Sequence, residues 1–207
     1  RFRTVLIAAR DFIPTLPDPV FTSDQYRTVR DAIGHLPPLK AGEKDPDDPM
    51  HITSKHRKET IEILKQVPKD GGNRPKGVGP QCLDKVAGFS DVYGRLAWDK
   101  TAVTVTARCR TPSCGRFAHP EQDRGLSVRE AALLQGFPPE FYFEGPFDDK
   151  YKQVGNAVSP IFSTALAGHV LSLLAGRNHA EVEEEINAPT FSSYSGMIAR
   201  SKQKRNN

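Results

Sequence analysis

This 207-residue chain is poor in cysteine, lacks long apolar runs and has no N-terminal Met, and each shortage narrows what it can be. Three cysteines, an odd number in a chain this long, do not build a disulfide framework and fit a reducing interior. No stretch of about 18 apolar residues stands out, so no membrane partner is expected. No signal peptide and no internal repeat is visible. The chain begins at Arg1, so it is expected to be a fragment, a processed product or one subunit of a split protein.

What is abundant is proline (17) and glycine (16), which points to many loops. With 37% hydrophobic and 26% charged residues, the chain is expected to be globular with a modest core. A net charge of +4 permits a nucleic-acid partner without requiring one.

Residues 2–9 (FRTVLIAA) and 102–106 (AVTVT) have the β-branched, apolar character of strands. Residues 23–34 read as a short helix capped by Ser23 or Asp24 and ended by Gly34, with Val29 and Ile33 four apart. Residues 54–66 read as another, with Ile61 and Leu64 on one face. Residues 36–50 and 67–82 are polar loops. Ser127-Val128-Arg129-Glu130 fits a capping box, and Gly136 and Pro138 stop the helix it opens. A last helix starts at Ser159-Pro160, takes its apolar side from Ile161, Leu166, Val170, Leu173 and Leu174, and ends at Gly176. The acidic run 181–185 and basic run 202–205 suggest a mobile tail over 179–207.

Several groups are candidates for chemistry. Residues 153–160 (QVGNAVSP) place a glycine and an asparagine before a helix, which suits either a small polar ligand or an ordinary loop-to-helix turn. Arg95, Lys100, Arg108, Arg110 and Arg116 lie among Gly, Thr and Ser, as a DNA-contact surface or as a solvated basic loop. Arg1 and Arg3 are two apart on the expected strand and so point to one side. Cys109, Cys114 and His119, with Cys82, have C-x4-C-x4-H spacing. The two-residue Cys spacing of zinc sites is missing, and no metal is assigned.

Residues 124–138 (RGLSVREAALLQGFP) and 153–160, in this order, resemble the last two signature motifs of the DNA cytosine-5 methyltransferases. His119-Pro120, Tyr93-Gly94-Arg95-Leu96 followed by Thr104-Val105, and the Arg1-Phe2-Arg3 start extend the resemblance over roughly 1–178. It implies an α/β fold: the C-terminal part of a Rossmann-like methyltransferase domain plus a loop-rich, partly β target-recognition domain. Residues 1–12 would end the catalytic sheet, 13–123 would form the recognition domain, and 124–178 would return to the catalytic domain. The resemblance implies S-adenosylmethionine contacts at Asn156, Ala157 and Val158, and places Arg1 and Arg3 beside a flipped cytosine. It implies contacts to duplex DNA at Arg95, Thr104, Arg108, Arg110 and Arg116. Arg129 and Glu130 are expected to pack and pair rather than to react.

The family's Pro-Cys-Gln nucleophile motif, its Glu-Asn-Val motif and its glycine-rich turn are absent. Pro80-Gln81-Cys82 has the wrong order and Cys114 follows Ser113, so neither cysteine is assigned as nucleophile. The expected partner is therefore an N-terminal part carrying Pro-Cys-Gln. A cytoplasmic location with the nucleoid is expected, or a nuclear one in a eukaryote. The alternative is a non-catalytic DNA-binding or regulatory subunit.

Overall fold

The computed structural model describes residues 5–10, 12–18, 21–85 and 88–176. The described residues divide into two compact units, 18–166, and 5–17 with 167–176. In the larger unit the helices are α1 (Val29–Ile33), α2 (Lys58–Gln66), α3 (Cys82–Lys85), α4 (Val128–Leu134) and α5 (Phe147–Asn156), and α6 (Pro160–Ala175) begins there and runs into the smaller one. Long irregular segments connect them.

The best-defined element is α4. The Ser127 hydroxyl accepts the Glu130 N–H at 3.0 Å, and the Ser127 N–H donates to the Glu130 carboxylate at 2.7 Å, so the capping box forms as expected. The N–H groups of Val128 and Arg129, orphans of the first turn, donate to Ile52 O and Met50 O. At the other end Gly136 takes φ +87°, and the Phe137 N–H reaches back to Ala132 O, a glycine-terminated stop. Val128, Ala131 and Ala132 are fully buried in a cluster with Val29, Ile33, Leu96, Val105, Cys109, Tyr151 and Val154. Residues from both sides of position 123 thus share one apolar core.

The helix expected over 23–34 starts later. Ser23–Gln25 is a single 3-10 turn, and α1 is capped by Thr28, whose hydroxyl accepts the Asp31 N–H. Val29 and Ile33 are its buried residues, as the spacing suggests. The first-turn N–H groups of Val29 and Arg30 donate to Lys100 O and Trp98 O, which places this start. In α2 Leu64 is buried with Val67, Val92, Tyr93 and Ala118 in a second cluster.

Among the described residues the expected strands do not form, and there are only isolated bridges, Arg95 with Ala118, Ala118 with Gly125, and Lys44 with Ile52. A strand needs a neighbour for its backbone groups. Residues 5–9 have none among the described residues, and Leu6 is 87% exposed. Residues 102–106 keep a strand's alternation, with Thr104 exposed and Val105 buried, but pack on helices instead of a sheet.

Two features depart from the sequence reading at the C-terminal side. Gln153 to Asn156 are the last turn of α5, not a loop. The stretch Phe147–Ala175 also contains an 18-residue window apolar enough to cross a membrane by composition, none of it buried. It is interrupted, because Ala157 is extended at φ −61°, ψ 150°. The 16 residues of α6 fall short of the about 20 a span requires. The boundaries of α6 match those expected from Pro160 and Gly176. Its apolar side chains, Ile161, Phe162, Leu171 and Leu174 among them, remain largely exposed. In the smaller unit the His169 Nε2–H donates to Thr15 O at 2.9 Å.

Candidate DNA-reading and cofactor-side site

A buried charge cluster underlies the site. Arg124 makes a bidentate pair with Glu130, 2.7 Å on both arms, with both side chains at most 1% exposed. Burial alone would raise the Glu130 pKa, but the Arg124 hydrogen bonds and charge outweigh it and hold the carboxyl at about 2. Arg129 grips Asp48 with Nε and Nη2 and donates to Phe141 O through Nη1. The expected packing and pairing roles of Arg129 and Glu130 fit this geometry.

Three histidines, of which the sequence reading weighed only His119, as a metal ligand, complete the cluster. His51 Nε2–H donates to Pro37 O at 2.8 Å, leaving Nδ1 to accept the Ser127 hydroxyl at 2.9 Å. His119 Nδ1 accepts the N–H groups of Glu121 and Gln122. His56 Nε2 accepts the Gly125 N–H at 2.9 Å. Burial pushes the His119 pKa down to about 4, with Arg124 and Arg95 acting the same way and Glu130 only partly opposing. Burial also lowers that of His56. Their only sequence signal was position: His119 precedes a proline and a run of polar residues whose amides need an acceptor.

A prediction follows from the sign of these shifts. Folded pKa values below the free-histidine value of about 6.5 mean that the unfolded chain binds protons first. The contribution is complete above about pH 6.5 and is lost as pH falls toward 4. For His119 the loss amounts to up to about 3 kcal/mol. Urea midpoints measured from pH 7 to 4.5 should fall in the wild type and fall less in His119→Gln. Equal slopes in the two proteins would remove the histidine from this account.

The expected DNA-contacting residues separate into two groups. Arg95 is fully buried and donates to Leu64 O, Val67 O, His119 O, Gln122 O and Asp123. Every N–H of its guanidinium is engaged within this chain, so the expectation that it touches DNA is corrected. Arg116 is largely internal as well, donating to Gly71 O, Arg95 O, Asp91 and Asn73. Its contacts mark it as a second internal clamp rather than a surface reader. Thr104 and Arg108 are exposed. Arg110 is half-buried and paired with Asp148 at 2.9 Å. Thr104, with Val103, Cys114 and Arg116, lines an open cleft of about 330 Å³ bordered by Gly88 and Phe89. A second cleft of about 280 Å³ shares that border and carries Arg74, Lys76 and Asp84. Arg1 and Arg3 lie outside the described residues.

The cysteines are separate. Burial raises the Cys109 thiol to about 12, and Cys82 and Cys114 are exposed. Among the described residues no group of three His, Cys, Asp or Glu side chains converges on a point a metal ion would fill.

On the other side of α5, Asn156 and Val158 are exposed and Ala157 is half-buried. The Ala157 N–H donates to Gln153 O, while Ala157 O accepts from Gln135 Nε2 at 2.9 Å. Gly155 is needed where it stands: a Cβ there would overlap the backbone of Thr106 and Ala107. This glycine therefore permits a close approach within the chain itself.

The family model for the C-5 cytosine-specific DNA methylases matches residues 1–172, and the chain belongs to that family. It is 39% identical over 186 residues to the type II methylase M.HgiDII of Herpetosiphon aurantiacus, covering 85% of this chain and 52% of that protein. It is 39% identical over 174 residues to the type II methyltransferase M1.HphI of Haemophilus parahaemolyticus, covering 84% and 44%. DNA (cytosine-5)-methyltransferase 3 of Arabidopsis thaliana is 36% identical over 180 residues, covering 73% and 13%. The chain thus spans about half or less of the length of these relatives. A crystallised candidate DNA modification methyltransferase encoded within an E. coli prophage aligns with TM-score 0.50 at 21% identity, covering 80% of this chain and 50% of that one. That likeness concerns the fold.

Proposed function

We propose that this chain supplies target recognition and one wall of the S-adenosylmethionine pocket to a DNA cytosine-5 methyltransferase, which moves the cofactor's methyl group to C5 of a cytosine in duplex DNA. The nucleophilic cysteine comes from an N-terminal part carrying Pro-Cys-Gln. Residues 13–123 act as the recognition domain, and 124–178 complete the catalytic one. Thr104 and Arg108 contact DNA, Thr104 from the rim of the 330 Å³ cleft. Arg1 and Arg3 stand beside the flipped cytosine.

The observation that carries the reading is the arrangement at α5. Its last turn bears the exposed Asn156 carboxamide, which both donates and accepts, next to the apolar Val158, 47% exposed. That rim fits a ligand combining polar groups with apolar surface, as S-adenosylmethionine does. The same helix is packed against the segment bearing Thr104 and Arg108. A purely DNA-binding or regulatory subunit has no use for the first of these features.

The test is reconstitution. Mixed or fused with an N-terminal part that bears Pro-Cys-Gln, the chain should transfer labelled methyl groups from S-adenosylmethionine to duplex DNA. Arg108→Ala should weaken DNA binding and reduce the slope of log affinity against log salt by about one. Salt-sensitive DNA binding with no methyl transfer from any competent partner would favour the regulatory subunit instead.

A further inference from the structure

We propose that α5 couples DNA reading to cofactor binding, with Asp148 and Gly155 as its positioning residues. The inference rests on the function proposed above. Segment 105–110 runs along α5 in the opposite direction and meets it at both ends. Arg110 pairs with Asp148 in the first turn at 2.9 Å. Val105 and Cys109 are buried in the same cluster as Tyr151 and Val154 in the middle. Thr106 and Ala107 press their backbone on Gly155 in the last turn, where no side chain fits. The next residue is Asn156.

The two attachments are what make this a lever. From Asp148 to Gly155 a helix rises about 10 Å. The opposing segment is folded into turns, with the Cys109 N–H donating to Thr106 O and the Thr111 N–H to Arg108 O. It is held at both ends of α5, so a shift at the asparagine turn is transmitted to the segment carrying Thr104 and Arg108. The turn is itself tied to the body of the protein, through Gln135 Nε2 to Ala157 O and through the buried Tyr151 OH to Leu126 O at 2.8 Å. Helix α5 is the rigid piece between two held surfaces.

The Arg110–Asp148 pair is suited to tuning rather than to holding the fold. Its side chains are 35% and 53% exposed, so solvent screens it and folding depends on it little. Gly155 is the opposite case, a contact with no slack. Coupling of this kind is reciprocal: a cofactor that strengthens DNA binding is itself bound more tightly in the presence of DNA.

The experiment uses the reconstituted enzyme with its N-terminal part. The readouts are the Kd for a duplex containing the target site, with and without S-adenosylhomocysteine, and the Kd for S-adenosylhomocysteine with and without DNA. The wild type should show the same ratio in both directions, at least about five-fold. Asp148→Asn should bring both ratios within about two-fold of unity without changing the urea midpoint, and Asp148→Glu should restore them. Gly155→Ala should abolish the coupling and lower kcat more than it raises the KM for DNA. A wild-type enzyme that binds neither DNA nor S-adenosylhomocysteine would overturn the function proposed above. Binding of both, with a wild-type ratio near unity or with an unchanged ratio in folded Asp148→Asn, would overturn the coupling alone.

Discussion

Glu130→Ala is expected to destabilise the chain by about 3–5 kcal/mol, a large part of what a domain of this size possesses. The carboxylate has two jobs. It neutralises Arg124, whose guanidinium is fully buried, and it accepts the Ser127 N–H that closes the α4 cap. Removing it leaves a buried charge without its partner and an orphan donor beside it. The cost should therefore exceed the about 1 kcal/mol of a lost cap alone. Glu130→Gln keeps the shape and the acceptor but not the charge, and should lie between. Replacing both partners with apolar residues, as in Arg124→Met with Glu130→Leu, should recover part of the loss, since no charge is left stranded. The pH dependence has a definite sign. Arg124 holds the folded carboxyl at about 2 against 4.5 when free, so its contribution is complete above pH 4.5 and disappears as pH falls through 2. Urea titrations of the three variants decide the matter. A Glu130→Ala protein within 1 kcal/mol of wild type would mean that water reaches Arg124.

What was legible in the sequence was what short-range chemistry determines. The Ser127–Glu130 box, the stop at Gly136 and both limits of α6 depend on residues within a few positions of one another, and the structure has them where expected. Helix α1 was misplaced because two Thr- or Ser-led starts compete there. The one whose first N–H groups find the carbonyls of Trp98 and Lys100 prevails. Helix α5 was missed because Gly155 and a charged first half hide it, and what stabilises it is tertiary: Tyr151 and Val154 are wholly buried. The strands failed for a related reason. Apolar, β-branched runs announce burial, and at Val105 the burying surface is a helix.

At the candidate site, what the polar pattern announced was exposure: Thr104, Arg108 and Asn156 are on the surface. Which arginines of the basic stretch are free was not legible. Composition counts charges without showing which of them meet carbonyls contributed by distant loops. The histidines at 51 and 56 were opaque in the same way, because each serves a hydroxyl or backbone group far from it in sequence, whereas His119 accepts the amides two and three residues on.

Arg95 is the clearest instance, and it yields the second large effect. Arg95→Ala is expected to cost at least about 3 kcal/mol, because carbonyls from the C-terminal end of α2 and from the 119–122 loop, and the Asp123 carboxylate, lose their donor inside the protein. Arg95→Lys should recover little, since a compact ammonium with three donors cannot span acceptors held by a planar fork. The same variant separates a structural arginine from a DNA-reading one. If Arg95 only holds the loops together, DNA affinity falls in proportion to the folded fraction and the salt slope of the remaining binding does not change. A phosphate contact, the role proposed for Arg108, behaves differently: Arg108→Ala should leave the urea midpoint alone and lower the slope by about one. Binding isotherms at three salt concentrations, with a urea titration of each variant, distinguish the two. A reduced salt slope in folded Arg95→Lys would return Arg95 to the DNA surface, and with it the need for a rearrangement of residues 64–67 and 119–123 on binding.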